Sequence, residues 1–390
     1  MTQRSPSIDV DLFSDEAIAN PYPLYKEIRD AGAVVWLERY DMWAVSRFED
    51  VRAALRADST LLSGRGVAMN DALNDTGNTN SLVSDGDEHR RLRSALMKPM
   101  MPSAMRDIRE HVQEMSDELV DRLLAQDRFD GMQDFCHYLP VSLISVLIGL
   151  PEDGRSQMLD WAAAAFNALG PMNERAQAGL PGVMDAARYV VALERADLPP
   201  DGWAAGIYRA ADEGLIDLDE ARKLVFDYVI PSLDTTILGT GHLLYQLGRH
   251  PEQFDKVKDD RSLVLPAVHE ALRIGTPVRA FTRLADTDYR AGEVHVPAGD
   301  RVAILYAAAN HDERHYPDPE VFDIERMSKD HVAFGFGVHR CAGAHLAELE
   351  MECLLDAMAR KVEAIDVGEP TPFPSNMLSG FASFEAGFSR

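Results

Sequence analysis

Cys341 stands in the stretch FGFGVHRCAG, residues 334–343, with glycines at 335, 337 and 343, His339 two places before it and Arg340 beside it. Glycine loses more conformational freedom on folding than any other residue, so three around one cysteine mark a backbone that bends sharply or lies close against something. A thiolate held in such a loop is a soft metal ligand, tempered by main-chain N–H donors and nearby cations. The plainer alternative is a small buried side chain in a Gly-rich turn, where most free cysteines are found. Zinc on Cys341 with His339 and His345 is a third reading, but a second ligand pair at finger-like spacing is missing.

Asp234 and Thr235 are adjacent in IPSLDTTILG, flanked by Ile230, Leu233 and Ile237. An acid beside an alcohol in apolar surroundings is costly unless it has partners or moves protons; otherwise Asp234 caps a broken helix. Glu270 and Arg273, three apart in HEALR, share a helix face. Exposed, such a pair is worth little; Ala267, Ala271 and Leu272 argue that the face is covered. A buried pair then needs a third group, and Arg326 in PEVFDIER is the candidate. His89 and Arg93 in HRRLR, Arg283 in FTRLA, and His339 are basic residues far apart in the chain. Singly each reads as a surface charge; together they can neutralise a buried dianion.

These residues must be positioned by elements that the apolar pattern outlines. YPLYKEIRDAG reads as a helix, AVVWLERY and MWAVSR as strands, and Ser63 to Asn80 as a long Gly/Asn-rich loop. Helical spacing dominates from Glu88 to Leu150 and from Ser156 to Ala211, interrupted near GPMN and LPPDG. Asp217 with Glu220 forms a capping-box signal that opens a helix of about 30 residues to Arg249, kinked at Pro231. SLVLPAVHEALRIG follows as a helix, then a small sheet from TRLADTDYRAGEVHVPAGDRVAILYAAA, the cysteine loop, a helix AHLAELEMECLLDAMARKVEAI and a Pro-rich tail. Helix predominates, with a β-rich portion near the start and after residue 280.

The 390 residues are 46% hydrophobic and 26% charged, enough to bury a large core. A net charge of −25 argues against nucleic acid or an anionic membrane as partner. MTQRSPSIDVDLFSDEAIAN holds no apolar run of signal-peptide or anchor length. Cys136, Cys341 and Cys353 make no disulfide framework, so a reducing cytoplasm is expected.

FGFGVHRCAG resembles the haem-binding loop of the cytochrome P450 family, in which Phe, two residues, Gly, three residues, Cys, one residue and Gly recur; Phe334, Gly337, Cys341 and Gly343 fall on it. Glu270 and Arg273 match the family's Glu-x-x-Arg, Arg326 the third member of that triad, and Asp234–Thr235 its acid–alcohol pair. The matches stay in register from about Asn20 to the C-terminus. The resemblance implies the mainly α cytochrome P450 fold with a small β-rich lobe, as one haem domain over residues 1–390. It also implies haem b (iron protoporphyrin IX) with Cys341 as the axial iron ligand. Phe334 and Gly343 then belong to the haem site, and His89, Arg93, Arg283 and His339 hold the propionates. Asp234 and Thr235 manage protons. Met69, Phe166, Leu233, Val278, Phe281 and Leu378 line the substrate pocket, where Arg279 is the one candidate charged anchor.

The reaction so implied puts one atom of O2 into a small apolar organic molecule. Electrons come from NAD(P)H through a separate ferredoxin and reductase, since no flavin or iron–sulfur module is seen. Arg90, Arg91, Lys98, Arg106 and Arg109 are the expected docking cations. A peroxide-driven peroxygenase and a non-catalytic haem protein binding a small ligand are the alternatives. One departure stands out: Pro231-Ser232 precede the acid–alcohol pair where the family usually has a small pair such as Ala-Gly, which alters the expected oxygen groove.

Overall fold

Apolar residues spaced three and four apart fold into helices whose buried stripes face one another. In the computed structural model, which describes residues 5–76 and 80–390, the helix Pro102–Leu123 buries Met105, Val112, Leu119, Val120 and Leu123. It packs against the helix Ala344–Lys361. Val264–Gly275 packs on the second of these, and Gly86–Met97, Met158–Ala168, Glu174–Ala192 and Trp203–Asp212 add further helices. The interruptions expected at GPMN and LPPDG fall between these helices. The loop expected from Ser63 to Asn80 carries a one-turn helix, Asp71–Asn74; its residues 77–79 lie outside the described residues, as do residues 1–4 of the N-terminal stretch.

The two β portions meet in one sheet. Its order is Ser7–Ile8, Val34–Leu37, Met42–Val45, Arg301–Leu305, Ala280–Ala285, Leu61–Leu62. Trp36 faces Trp43 across the first antiparallel pair, their rings edge to face at 5.3 Å, a geometry aromatic pairs favour. Behind this sheet Phe48, Val302 and Ile304 form a smaller core; Val278 and Phe281 pack against both it and the large helical core.

Two expectations about elements need correction. The run opened by Asp217 is not one kinked helix but two, Leu218–Val229 and Asp234–Arg249. The capping box forms as expected. Pro231 then removes an N–H and crowds the preceding turn, and two hydroxyls satisfy carbonyls at the gap: Ser232 donates to Tyr228 O and Thr235 Oγ1 to Pro231 O at 2.9 Å. The C-terminal helix stops at Lys361, and its expected last residues begin a strand, Ala364–Val367. The Pro-rich tail ends in a strand: Glu385–Ser389 pairs with Ala364–Val367 on one side and with Phe129–Asp130 on the other.

The expected triad is buried and saturated. Arg273 Nε and Nη2 each donate to Glu270 at 2.8 Å, Arg273 Nη1 donates to Asn310 O at 2.8 Å, and Arg326 Nε reaches Glu270 Oε1 at 3.1 Å. Asp323 N–H adds a further donor at 3.2 Å. Burial alone would raise the Glu270 carboxyl, but the Arg273 guanidinium holds it below the usual carboxylate range. The triad ties the helix Val264–Gly275 to the segment leading into the cysteine loop. Among the described residues no helix is long and apolar enough to cross a membrane.

Candidate active site

The cysteine loop is shaped by its backbone. Gly335 and Gly337 adopt φ of +67° and +74°, a region that side chains disfavour, and a Cβ on Gly337 would lie 2.6 Å from Leu55 O. Cys341 N–H donates to Phe334 O at 2.8 Å and closes the loop. Gly343 departs from expectation: its φ is −82°, so it makes no special turn. A Cβ there would meet no protein atom within 4 Å, and one on Gly335 would meet only His339 O, at 3.8 Å. Both glycines keep space free beside the thiol.

The three cysteines differ in the same sense. Cys136 and Cys353 are fully buried, whereas Cys341 is exposed. Protein nevertheless surrounds Cys341 closely enough for desolvation to raise its thiol. The Gly343 N–H and the charges of Arg93 and Arg340 pull the other way. A side chain both desolvated and open lines an internal space. Its surroundings favour a thiolate once a cation binds it.

Four residues expected to act together do converge. The His89 and His339 rings lie 4.1 Å apart. Arg93 donates to Arg340 O and feels the charge of Cys341. Arg283 is buried, one N–H going to Thr282 O at 2.8 Å. Burial lowers both imidazoles, His89 to about 4 with help from His339 and Arg93, and His339 with help from Arg283 and Arg93 against the opposing Asp85. His89 Nε2 and His339 Nε2 have no hydrogen-bond partner, and among the described residues neither Arg93 nor Arg283 forms an ion pair with a carboxylate. The acidic neighbour is Asp85, 3.8 Å from His339 and already accepting the N–H groups of Ser63 and Gly64. One buried and one half-buried arginine, with two imidazole nitrogens that lack partners, fit a dianion, which the two carboxylates of a haem supply. The donor set fits the cofactor.

Asp234 opens the helix after the break, and its Oδ2 is buried without a partner. Desolvation, with the charge of Asp160, raises its carboxyl to about 7. Thr235 uses its proton on Pro231 O, so its oxygen lone pairs stay available as acceptors.

The expected pocket residues come from segments sewn together. Thr282 donates through N–H and hydroxyl to Val67 O (2.9 Å) and Ala68 O (2.7 Å). Met69 N–H reaches Leu169 O at 2.8 Å, just past Phe166, and Val278 bridges Leu378. Met69, Phe166, Leu233 and Leu378 are buried in the large core, with Val278 and Phe281 at its edge. Arg279, the candidate anchor, is held by the backbone, donating to Leu378 O at 2.9 Å and Ile18 O at 2.7 Å, while its Nη1 is buried without a hydrogen-bond partner.

Of the expected docking cations, Arg91 makes two bonds to Glu220 (2.5 and 2.6 Å) and Arg109 two to Glu352 (3.1 and 2.7 Å). Arg90 pairs with Asp87 at the surface. Sequence reasoning missed Asp85, Asp227, whose carboxylate receives the Ser81 N–H at 2.8 Å, and the imidazole pair His269 and His331. Asp85 alone carried a signal, as an acid directly before the helix GDEHRRLR.

Comparison with known proteins agrees with this geometry. The cytochrome P450 family profile matches residues 27–170 and 207–383. The chain is 35% identical over 370 residues to "Cytochrome p450 CYP199A2" of Rhodopseudomonas palustris, covering 94% of this chain and 90% of that protein. Among solved structures it superposes on CYP108D1 of Novosphingobium aromaticivorans with a TM-score of 0.84 at 27% identity, covering 96% of each chain. It also superposes on an intact type IV self-sufficient cytochrome P450 monooxygenase with a TM-score of 0.83 at 26% identity, covering 97% of this chain and 52% of that one.

Proposed function

The chain belongs to the cytochrome P450 family of haem b monooxygenases, and on that premise we propose that it hydroxylates, or oxidatively dealkylates, a small apolar organic substrate. The observation that carries the residue assignments is the open, desolvated thiol of Cys341 near two arginines without a carboxylate partner among the described residues and two imidazole nitrogens without a hydrogen-bond partner. Cys341 would supply the thiolate that ligates the iron, with the Gly343 N–H to temper its charge. Arg93, Arg283, His89 and His339 would hold the propionates, and Phe334 and Gly343 would belong to the haem site. When bound, the haem supplies O2 activation and O–O cleavage, which thiolate ligation favours. Asp234, titrating near neutrality, holds a proton it can release, and Thr235 Oγ1 accepts a hydrogen bond from a water that passes the proton on. Met69, Phe166, Leu233, Val278, Phe281 and Leu378 exclude bulk water and select an apolar substrate.

The whole chain acts as one haem domain, a reading supported by the pairing of its last strand, Glu385–Ser389, with Phe129–Asp130. Three free cysteines support a cytoplasmic setting. Electrons come from NAD(P)H through a separate ferredoxin and reductase. Lys98 and Arg106, with the weakly held Arg90, are the cations left to steer an acidic ferredoxin.

Simultaneous measurement of NAD(P)H oxidation, O2 uptake and product tests the proposal, after a spin-shift screen has found a substrate. Product that requires both NAD(P)H and O2 supports it. Product from hydrogen peroxide alone identifies a peroxygenase, and ligand binding without turnover a non-catalytic haem protein; either result overturns it.

A further inference from the structure

The cysteine loop also bounds a cavity of about 140 Å³, whose wall includes Phe334, Gly335, Arg340, Arg52, His269 and Lys329. Its two carboxylates are already engaged. Asp330 accepts the Tyr316 hydroxyl at 2.9 Å and lies 2.8 Å from His315 Nε2; Glu348 lies 3.5 Å from Arg340 and 3.4 Å from His345. Its cations are less fully matched. Lys329 is exposed and has no ion-pair partner among the described residues, and Arg52 stacks on Phe336 at 4.4 Å with its Nε buried and partnerless.

The imidazoles decide which ligand fits. His331 Nδ1 accepts the Ala333 N–H at 3.1 Å, so the neutral ring carries its proton on Nε2. That Nε2 faces His269 Nδ1 at 3.3 Å, which places the His269 proton on Nε2. Burial keeps both rings neutral. His269 is 5% exposed, and its Nε2 meets no partner. The chain of hydrogen bonds thus ends in an unmet donor on a residue of the cavity wall, beside a second unmet donor from Arg52. With each ring's acceptor nitrogen in use, neither imidazole has a lone pair for a metal ion. Donors and cations around a space of this size suit a ligand that only accepts.

We propose that this cavity binds a small tetrahedral oxyanion, phosphate or sulfate, through His269, Arg52, Arg340 and Lys329. Inorganic phosphate titrated into the ferric holoprotein at constant ionic strength tests this, read by phosphorus NMR line broadening from the paramagnetic iron. The expected result is saturable broadening that added sulfate reverses. Lys329→Gln, a surface change that leaves folding intact, weakens binding about tenfold, the loss of one charge-assisted contact. His269→Phe abolishes it, and Arg106→Gln leaves it unchanged. Broadening that rises linearly with phosphate, or saturates equally in wild type and Lys329→Gln, overturns the proposal.

Discussion

Two charge clusters inside the protein are built on opposite terms. In the Glu270–Arg273–Arg326 triad the carboxylate and the arginines find donors and acceptors within the protein. Around Cys341 the cations Arg93 and Arg283 have carbonyls but, among the described residues, no carboxylate partner, and His89 and His339 keep unmet nitrogens. A saturated network stabilises geometry, whereas an unsaturated one stores affinity for something that completes it. The first holds the fold; the second is the cluster we propose for the cofactor.

The largest test of that difference removes one partner from each cluster. Glu270→Ala leaves Arg273 buried and unpaired, a change that costs about 3–5 kcal/mol, and is expected to lower the urea midpoint of the holoprotein steeply or prevent its accumulation. Arg283→Gln should leave the polypeptide's unfolding midpoint nearly unchanged while haem transfers faster to an acceptor protein. Equal loss of polypeptide stability in both variants would erase the distinction.

The acid–alcohol pair extends the contrast to protons. Asp234→Asn is expected to slow turnover, within the roughly 10²–10⁴-fold range of general acid–base help. Thr235→Ala should instead keep NAD(P)H consumption while product per NAD(P)H falls and hydrogen peroxide rises. Full coupling in Thr235→Ala would show that Ser232, at the same break, or another group holds the water.

Asp234 also predicts a pH signature. Its folded pKa of about 7 lies above the unfolded value of about 3.9, so the folded state binds more protons between those limits and stability falls as pH rises through them. Asp234→Asn should therefore unfold at a higher temperature than wild type at pH 8, with the gain vanishing below about pH 4. A gain independent of pH would point to packing instead.

The smallest effect is expected at Glu350, which the comparison would otherwise misassign. It is fully buried, both its oxygens lack partners, and desolvation raises it to about 8. Burial so favours its protonated form that Glu350→Gln should change the unfolding midpoint little near neutral pH and leave the haem spectrum unaltered. A spectral change would join Glu350 to the functional cluster.

Local chemistry was legible in the sequence where a few adjacent residues carry it. The cysteine loop, the acid–alcohol pair, the Glu270–Arg273 spacing and the Asp217–Glu220 capping box all declare themselves within ten residues. Contacts between distant segments were not. His339 facing Asp85, Asp227 holding Ser81, and the tail strand pairing with Phe129–Asp130 join residues 100 or more apart, and no local pattern encodes the partner. The break at Pro231 lay between these cases. Its position was readable, but whether the helix bends or stops depends on carbonyl partners supplied by Ser232 and Thr235.

The central claim is that Cys341 alone of the three cysteines ligates iron, and the visible spectrum of the reduced protein with carbon monoxide tests it most directly. Wild type, Cys136→Ser and Cys353→Ser should share the far-red-shifted Soret band of thiolate-ligated haem, and Cys341→His should lose it. A thiolate spectrum that survives in Cys341→Ala would contradict the account.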